Sequence, residues 1–136
     1  MSRIAKVTSE EFKTLVAYAQ KSHYSKNEPI PELIGDNLEK VESCLTSPFQ
    51  TFQGLDLYRG FVAKAAVLFY LLIKNHPLRN GNKRMAILTL AYFYQKNKRE
   101  LKLSSDELYS LAKSAAESTE IENALEYISG VLNSVV

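Results

Sequence analysis

Apolar positions recur at helical spacing along most of the chain, and each run opens on a recognisable start signal. Thr8 with Glu11 three residues on has the pattern of a capping box, and Phe12, Leu15, Val16 and Ala19 follow at the period of a helix. This first helix is predicted to end near His23 or Tyr24. Residues 25–35, SKNEPIPELIG, carry two prolines and a glycine. They read as a loop or a short extended segment, because proline resists helix interiors and biases its predecessor toward extended backbone. Asp36 with Glu39 signals a new N-cap, and the short helix NLEKVESCL must stop before Pro48.

A loop over residues 47–54 leads into a long predicted helix from Leu55 to Asn75. Its second half is apolar nearly all round, as a central core helix is. The most apolar run, Phe61–Ile73, is about 13 residues long and includes Lys64; crossing a bilayer takes about 20. His76-Pro77 breaks the helix, and the next begins near Gly81 and runs through MAILTLAYFYQKN. Ser104 with Glu107, and Thr119 with Glu122, offer capping boxes for two C-terminal helices. No pair of alternating strands stands out, so the fold is predicted to be mainly α, with at most a small hairpin at residues 26–36. Phe69, Tyr70, Tyr92, Phe93 and Tyr94 fall on the two central helices and read as core rather than as a base-stacking platform.

Composition narrows the picture. The 136 residues fit a single domain, 1–136, unbroken by repeats or Gly/Ser-rich linkers and long enough to bury a core without staples. An apolar fraction of 46% with 24% charged residues excludes disorder. The net charge of +2 disfavours an acidic polymer as the main partner. With one cysteine and two histidines, the chain can form neither an internal disulfide nor a usual structural zinc site. Cys44, in VESCLTS, reads as a small apolar helix position. The opening MSRIAKVTSEEF lacks the apolar stretch of a signal peptide. A cytoplasmic location away from membranes is expected.

The chemistry concentrates in one turn, Asn75-His76-Pro77-Leu78-Arg79-Asn80-Gly81-Asn82-Lys83-Arg84. Glycine and asparagine tolerate the left-handed backbone that lets successive N–H groups point into one concavity. The following helix presents its unsatisfied N–H groups and positive dipole end to the same space. Lys83 and Arg84 oppose that dipole, which makes sense if an anion sits above them, as at a phosphate site. His76 lies just upstream, where an imidazole could accept a proton from a hydroxyl. The same residues admit a plainer reading: Asn-Gly as a common turn, His76 as a helix C-cap, Lys-Arg as a solvated face.

The stretch HPLRNGNKRMA resembles the signature of the Fic/Doc family, written HPFx(D/E)GNGRxxR in its adenylylating branch and HxFx(D)xNKRTA in the death-on-curing (Doc) branch. Lys83 directly before Arg84 matches the Doc branch. LEKVESCLTSPF is similar to the helix before the active site in Doc-like proteins, and AAVLFYLLIKNHP to the core helix leading into the motif. The resemblance covers about residues 26–100. It implies a compact Fic-type helical domain with a small β-hairpin flap, ATP and Mg2+ as cofactors, and a protein substrate. His76 would be the general base, and Asn80, Gly81, Asn82, Lys83 and Arg84 would hold the nucleotide phosphates. Lys83 and Arg84 would also act in catalysis. Pro29, Ile30, Pro31, Glu32 and Leu33 would lie in the flap that positions the target. The Doc branch further implies γ-phosphate transfer to a protein hydroxyl, a target in the translation machinery and an antitoxin partner.

Two departures qualify this expectation. Leu78 replaces phenylalanine and remains apolar. Asn80 replaces the acidic residue that contacts magnesium, and an amide oxygen is a weaker ligand for a hard dication. Adenylylation, or a catalytically weak nucleotide-binding module, therefore stands as the alternative. Direct nucleic-acid binding is disfavoured, since only two adjacent cations stand on an otherwise apolar helix. Ser118–Asn123 fits the pattern [S/T]xxxE[G/N] of an inhibitory helix. The second arginine that such a glutamate engages is here Ile87, however, so a capping box explains the segment better.

Overall fold

The computed structural model describes residues 3–21, 36–78 and 80–135. Among these are six α-helices and one two-stranded sheet: α1 (Ser9–Lys21), α2 (Asp36–Thr46), a 3₁₀ turn (Ser47–Phe49), β1 (Thr51–Phe52), β2 (Leu55–Asp56), α3 (Phe61–Lys74), α4 (Asn82–Lys96), α5 (Ser105–Glu117) and α6 (Ile121–Asn133). The fold is mainly helical with a small hairpin, as expected. The expected flap residues Pro29–Leu33 and the end of the first helix at His23 or Tyr24 lie outside the described residues.

α3 is the centre. Ten of its fourteen residues are buried, and it packs against α2, α4, α5 and α6. The Phe61 ring, at the start of α3, stacks on Phe93 near the end of α4 with centroids 4.7 Å apart, and meets Tyr94 edge-on at 4.8 Å. α3 and α4 therefore run antiparallel. The aromatic cluster locks one end of the pair, and the His76–Gly81 turn closes the other. Phe69, Tyr70, Phe93 and Tyr94 are core residues, as the sequence indicates. Cys44 is fully buried, with its Sγ 3.5 Å from the Leu71 carbonyl. Burial pushes its thiol up to about 11, against a hydrogen bond with Asn75, so it carries almost no thiolate at neutral pH.

Two expectations are corrected. The helix predicted from Leu55 starts at Phe61, because Leu55 and Asp56 form β2. Gln53 and Gly54 both have positive φ, 52° and 80°, the pair of left-handed residues that a two-residue hairpin turn requires. Gly60, at φ 85°, then redirects the chain into α3. A hairpin thus sits at residues 51–56, while the one expected within 26–36 falls almost entirely outside the described residues. The second correction concerns α6, where the Thr119 and Glu122 capping box does not form. The N-cap is Glu120, with no side-chain cap bond, and Asn123 Nδ2 donates to Glu120 Oε2 at 3.1 Å. Thr119 lies one residue too early to cap. The boxes at Thr8–Glu11 and Ser104–Glu107 do form.

α4 is pinned by a cluster that periodicity alone would not reveal. Glu11 on α1 accepts from Lys96 Nζ at 2.6 Å and from the Tyr92 hydroxyl, both on α4. Burial pushes the Glu11 carboxyl up, but the bonds from Lys96, Tyr92 and Thr8 outweigh it and hold the group at about 2, against an ordinary 4.5. A carboxyl so depressed adds stability above its unfolded pKa and loses it as pH falls toward its folded one. Glu11→Gln should therefore lower stability at pH 7 by about 2 kcal/mol. It should also flatten the acid limb between roughly pH 5 and pH 2. Urea midpoints measured across that range check this; parallel limbs for parent and variant would contradict it.

Candidate active site

The turn between α3 and α4 is built from backbone outward. α3 ends at Asn75, whose N–H donates to the Leu71 carbonyl at 3.0 Å. His76 follows with φ 46°, a left-handed conformation that costs a non-glycine residue about 1 kcal/mol or more. That step swings the exposed imidazole out of the helix line. Pro77 and Leu78 then turn inward and are buried, so Leu78 plugs the core as the sequence suggests. Gly81 has φ 82° and serves as the N-cap of α4. A residue with Cβ is strained in that conformation, so glycine is the natural occupant.

Asn82 holds this loop closed. Its Oδ1 accepts from the Leu78 N–H at 2.9 Å, and its Nδ2 donates to the Leu78 carbonyl at 2.8 Å. The same Nδ2 lies 3.4 Å from His76 Nδ1. One side chain thus ties the first turn of α4 to the buried plug and to the imidazole. This was not legible beforehand: the asparagine signalled turn chemistry, but its partners are set only once the loop closes. With the side chain engaged, Asn82 has only its main-chain N–H left to offer an anion.

The first turn of α4 contains no acidic residue. Lys83 is exposed, Arg84 is partly buried, and Asn80 and Gly81 flank the entrance as exposed and partly buried residues. The dipole end of a fifteen-residue helix, a glycine N-cap and two cations meet there. His76, Gly81 and Asn82 are brought together; Lys83 and Arg84 follow within the same turn. The phosphate groups of a nucleotide fit this chemistry. A protein-held divalent cation does not. No group of three or more His, Cys, Asp or Glu side chains that could hold a metal occurs among the described residues, and Asn80 contributes one neutral oxygen. Nor is any described helix long and apolar enough to cross a membrane. Ile87 is partly buried against the core, and Glu122 is exposed on α6.

Neither a curated protein nor a solved structure matches the chain. A model of the Fic/DOC family matches residues 6–94, about two thirds of the sequence, and takes in α1 through most of α4 with the entire His76–Arg84 turn. By that match, the chain belongs to the Fic/DOC family.

Proposed function

We propose that this protein is a Doc-like phosphotransferase that moves the γ-phosphate of ATP onto a hydroxyl of a protein target. The observation that carries the reading is the α4 N-terminus. It is an acid-free first turn, opened by a left-handed glycine and bearing Lys83 and Arg84, beside an exposed imidazole. Fic-family proteins generally transfer AMP or phosphate to proteins, and they typically use ATP and Mg2+. Bound ATP supplies the transferable phosphate. The N–H groups of Gly81 and Asn82 and the charges of Lys83 and Arg84 hold and orient it. His76 takes the proton from the target hydroxyl as its oxygen bonds to phosphorus, and ADP leaves. Magnesium would be held by the phosphates, and Asn80 would offer it one neutral oxygen.

The Asn82 contact bears on which ring nitrogen acts. Asn82 Nδ2 can only donate, so it favours a ring with its proton on Nε2. A base acting through Nε2 needs the opposite tautomer. The shorter bond to Leu78 leaves this contact weak at 3.4 Å, so substrate binding can displace it. The partners in this reading are a target in the translation machinery, with Pro29–Leu33 positioning it, and an antitoxin whose acidic segment covers Lys83 and Arg84. The neutral Asn80 favours a second reading, a nucleotide-binding module with little turnover.

Lys83 supports phosphorylation over adenylylation. The adenylylating branch has glycine there and arginine at position 87, one turn on along the same face; here the latter position is Ile87. The test is incubation of target-containing extract with ATP labelled at the γ- or the α-phosphate. Protein labelled from the γ-position only is the expected result. Label from the α-position would replace kinase by adenylyltransferase, and ATP binding without label in either arm would leave the binding module.

A further inference from the structure

We infer that the β1–β2 hairpin and the groove beside it form a docking surface for an extended segment of a protein partner, one whose apolar residues run into an acidic residue. The hairpin pairs Phe52 with Leu55 and Thr51 with Asp56. Directly opposed residues share a face, and faces alternate along a strand. Phe52, Leu55 and, two residues on, Leu57 therefore belong to one face, and they are 65%, 59% and 52% exposed. Asp56 belongs to the other. Its Oδ2 lies 3.0 Å from Nζ of Lys64, a buried lysine on α3 that also donates to the Tyr58 carbonyl. The hairpin is anchored to α3 through its polar face and turns three large apolar side chains to solvent. Among the described residues the other large exposed apolar side chains, Tyr18, Tyr109, Ile121 and Tyr127, are spread over α1, α5 and α6.

Two residues beyond Leu57 the surface becomes cationic. Arg59 and Arg99 line a groove with Ser129 and Asn133 in which no carboxylate occurs among the described residues; Glu100, with Lys102, lines the adjoining one. The Arg99 guanidinium is held 4.3 Å over the Phe61 ring, which fixes its position at little entropic cost. Among the described residues neither strand has a second β neighbour, so the hairpin also offers main-chain groups to an added strand. An apolar face continuing into a groove that carries two arginines is complementary to a peptide that alternates apolar residues and then supplies carboxylates. A second copy meets that demand poorly, because the hairpin's one acid, Asp56, is engaged by Lys64. A nucleic acid would set phosphates against Phe52, Leu55 and Leu57. This surface lies at the opposite end of the α3–α4 pair from His76, about 20 Å along the fourteen-residue α3. It is a site apart from the transfer centre and does not depend on the reading given to that centre.

The test uses the purified full chain and a displayed library of short random peptides, counter-selected on Phe52→Ser/Leu55→Ser. Enrichment of sequences with alternating apolar residues followed by Asp or Glu is expected. The best of these, made synthetically, should bind the parent saturably in fluorescence anisotropy. Binding should weaken about tenfold or more in Phe52→Ser/Leu55→Ser, in Arg59→Gln/Arg99→Gln, and when the peptide's acids become amides. Thermal unfolding of both variants, substituted at exposed positions, is expected to match the parent and so exclude misfolding as the cause. No enrichment, enrichment without acidic residues, or affinity indifferent to both variants would overturn the proposal. So would a concentration-dependent dimer that Phe52→Ser/Leu55→Ser abolishes, or tighter binding to a random single-stranded RNA than to any peptide.

Discussion

Replacing His76 is expected to cut phosphate transfer by about 10²–10⁴-fold, the usual contribution of a positioned general base, while leaving the fold intact. His76 is exposed, and its side chain makes a long contact to Asn82, so little packing is lost. Backbone conformation makes the choice of variant informative. At φ 46° an alanine keeps the strain that histidine bears, whereas glycine relieves it. His76→Gly gains from that relief and loses a similar amount through greater freedom of the unfolded chain, so its stability should stay within about 1 kcal/mol of the parent. A variant that is as stable as the parent, still binds ATP and yet transfers nothing separates chemistry from folding. Rates of labelled transfer and urea midpoints for His76→Ala and His76→Gly check it. Transfer within about threefold of the parent would remove His76 from the reaction, since even a modest base contributes more.

Asn82→Ala should damage both stability and activity. The substitution deletes two hydrogen bonds to the main chain of Leu78, a residue only 2% exposed. Leaving such groups without partners costs about 1–3 kcal/mol, which in a domain of this size lowers the thermal midpoint by roughly 5–10 °C. The loss reaches the site because the same side chain fixes the spacing between the buried plug, His76 and the first turn of α4. Misplacement of the base and phosphate cradle by about 1 Å can cost on the order of 10²-fold in rate. Asn82→Asp keeps an acceptor for the Leu78 N–H but sets a carboxylate against the Leu78 carbonyl, so it should fall between parent and alanine in stability. Thermal unfolding and labelled transfer measured on both variants test the assignment. An alanine variant with parental midpoint and rate would mean that Leu78 and water hold the loop without Asn82.

What the sequence determined by itself is most of the helices and the turn in which the candidate site lies. Helix periodicity and the Thr8 and Ser104 caps are local properties, each readable within a few residues, and they locate α1, α4 and α5 closely. The break at His76-Pro77 and the glycine before Asn82 are equally local, so the site turn was legible before any contact was known. The hairpin at residues 51–56 was not, because strands of two residues hold no alternation to read. Lys64, inside the most apolar run, was the one hint that a polar partner must reach that helix, and its partners come from the hairpin only after α3 packs. Glu11 with Tyr92 and Lys96, more than 80 residues away, and Asn97 with Ala5, are likewise long-range pairs. Buried or partly buried polar groups must find partners somewhere, but sequence spacing constrains only neighbours within a turn or two. The tertiary structure alone chose Asp56 for Lys64 and α4 for Glu11, because each choice follows from how the core packs these elements together.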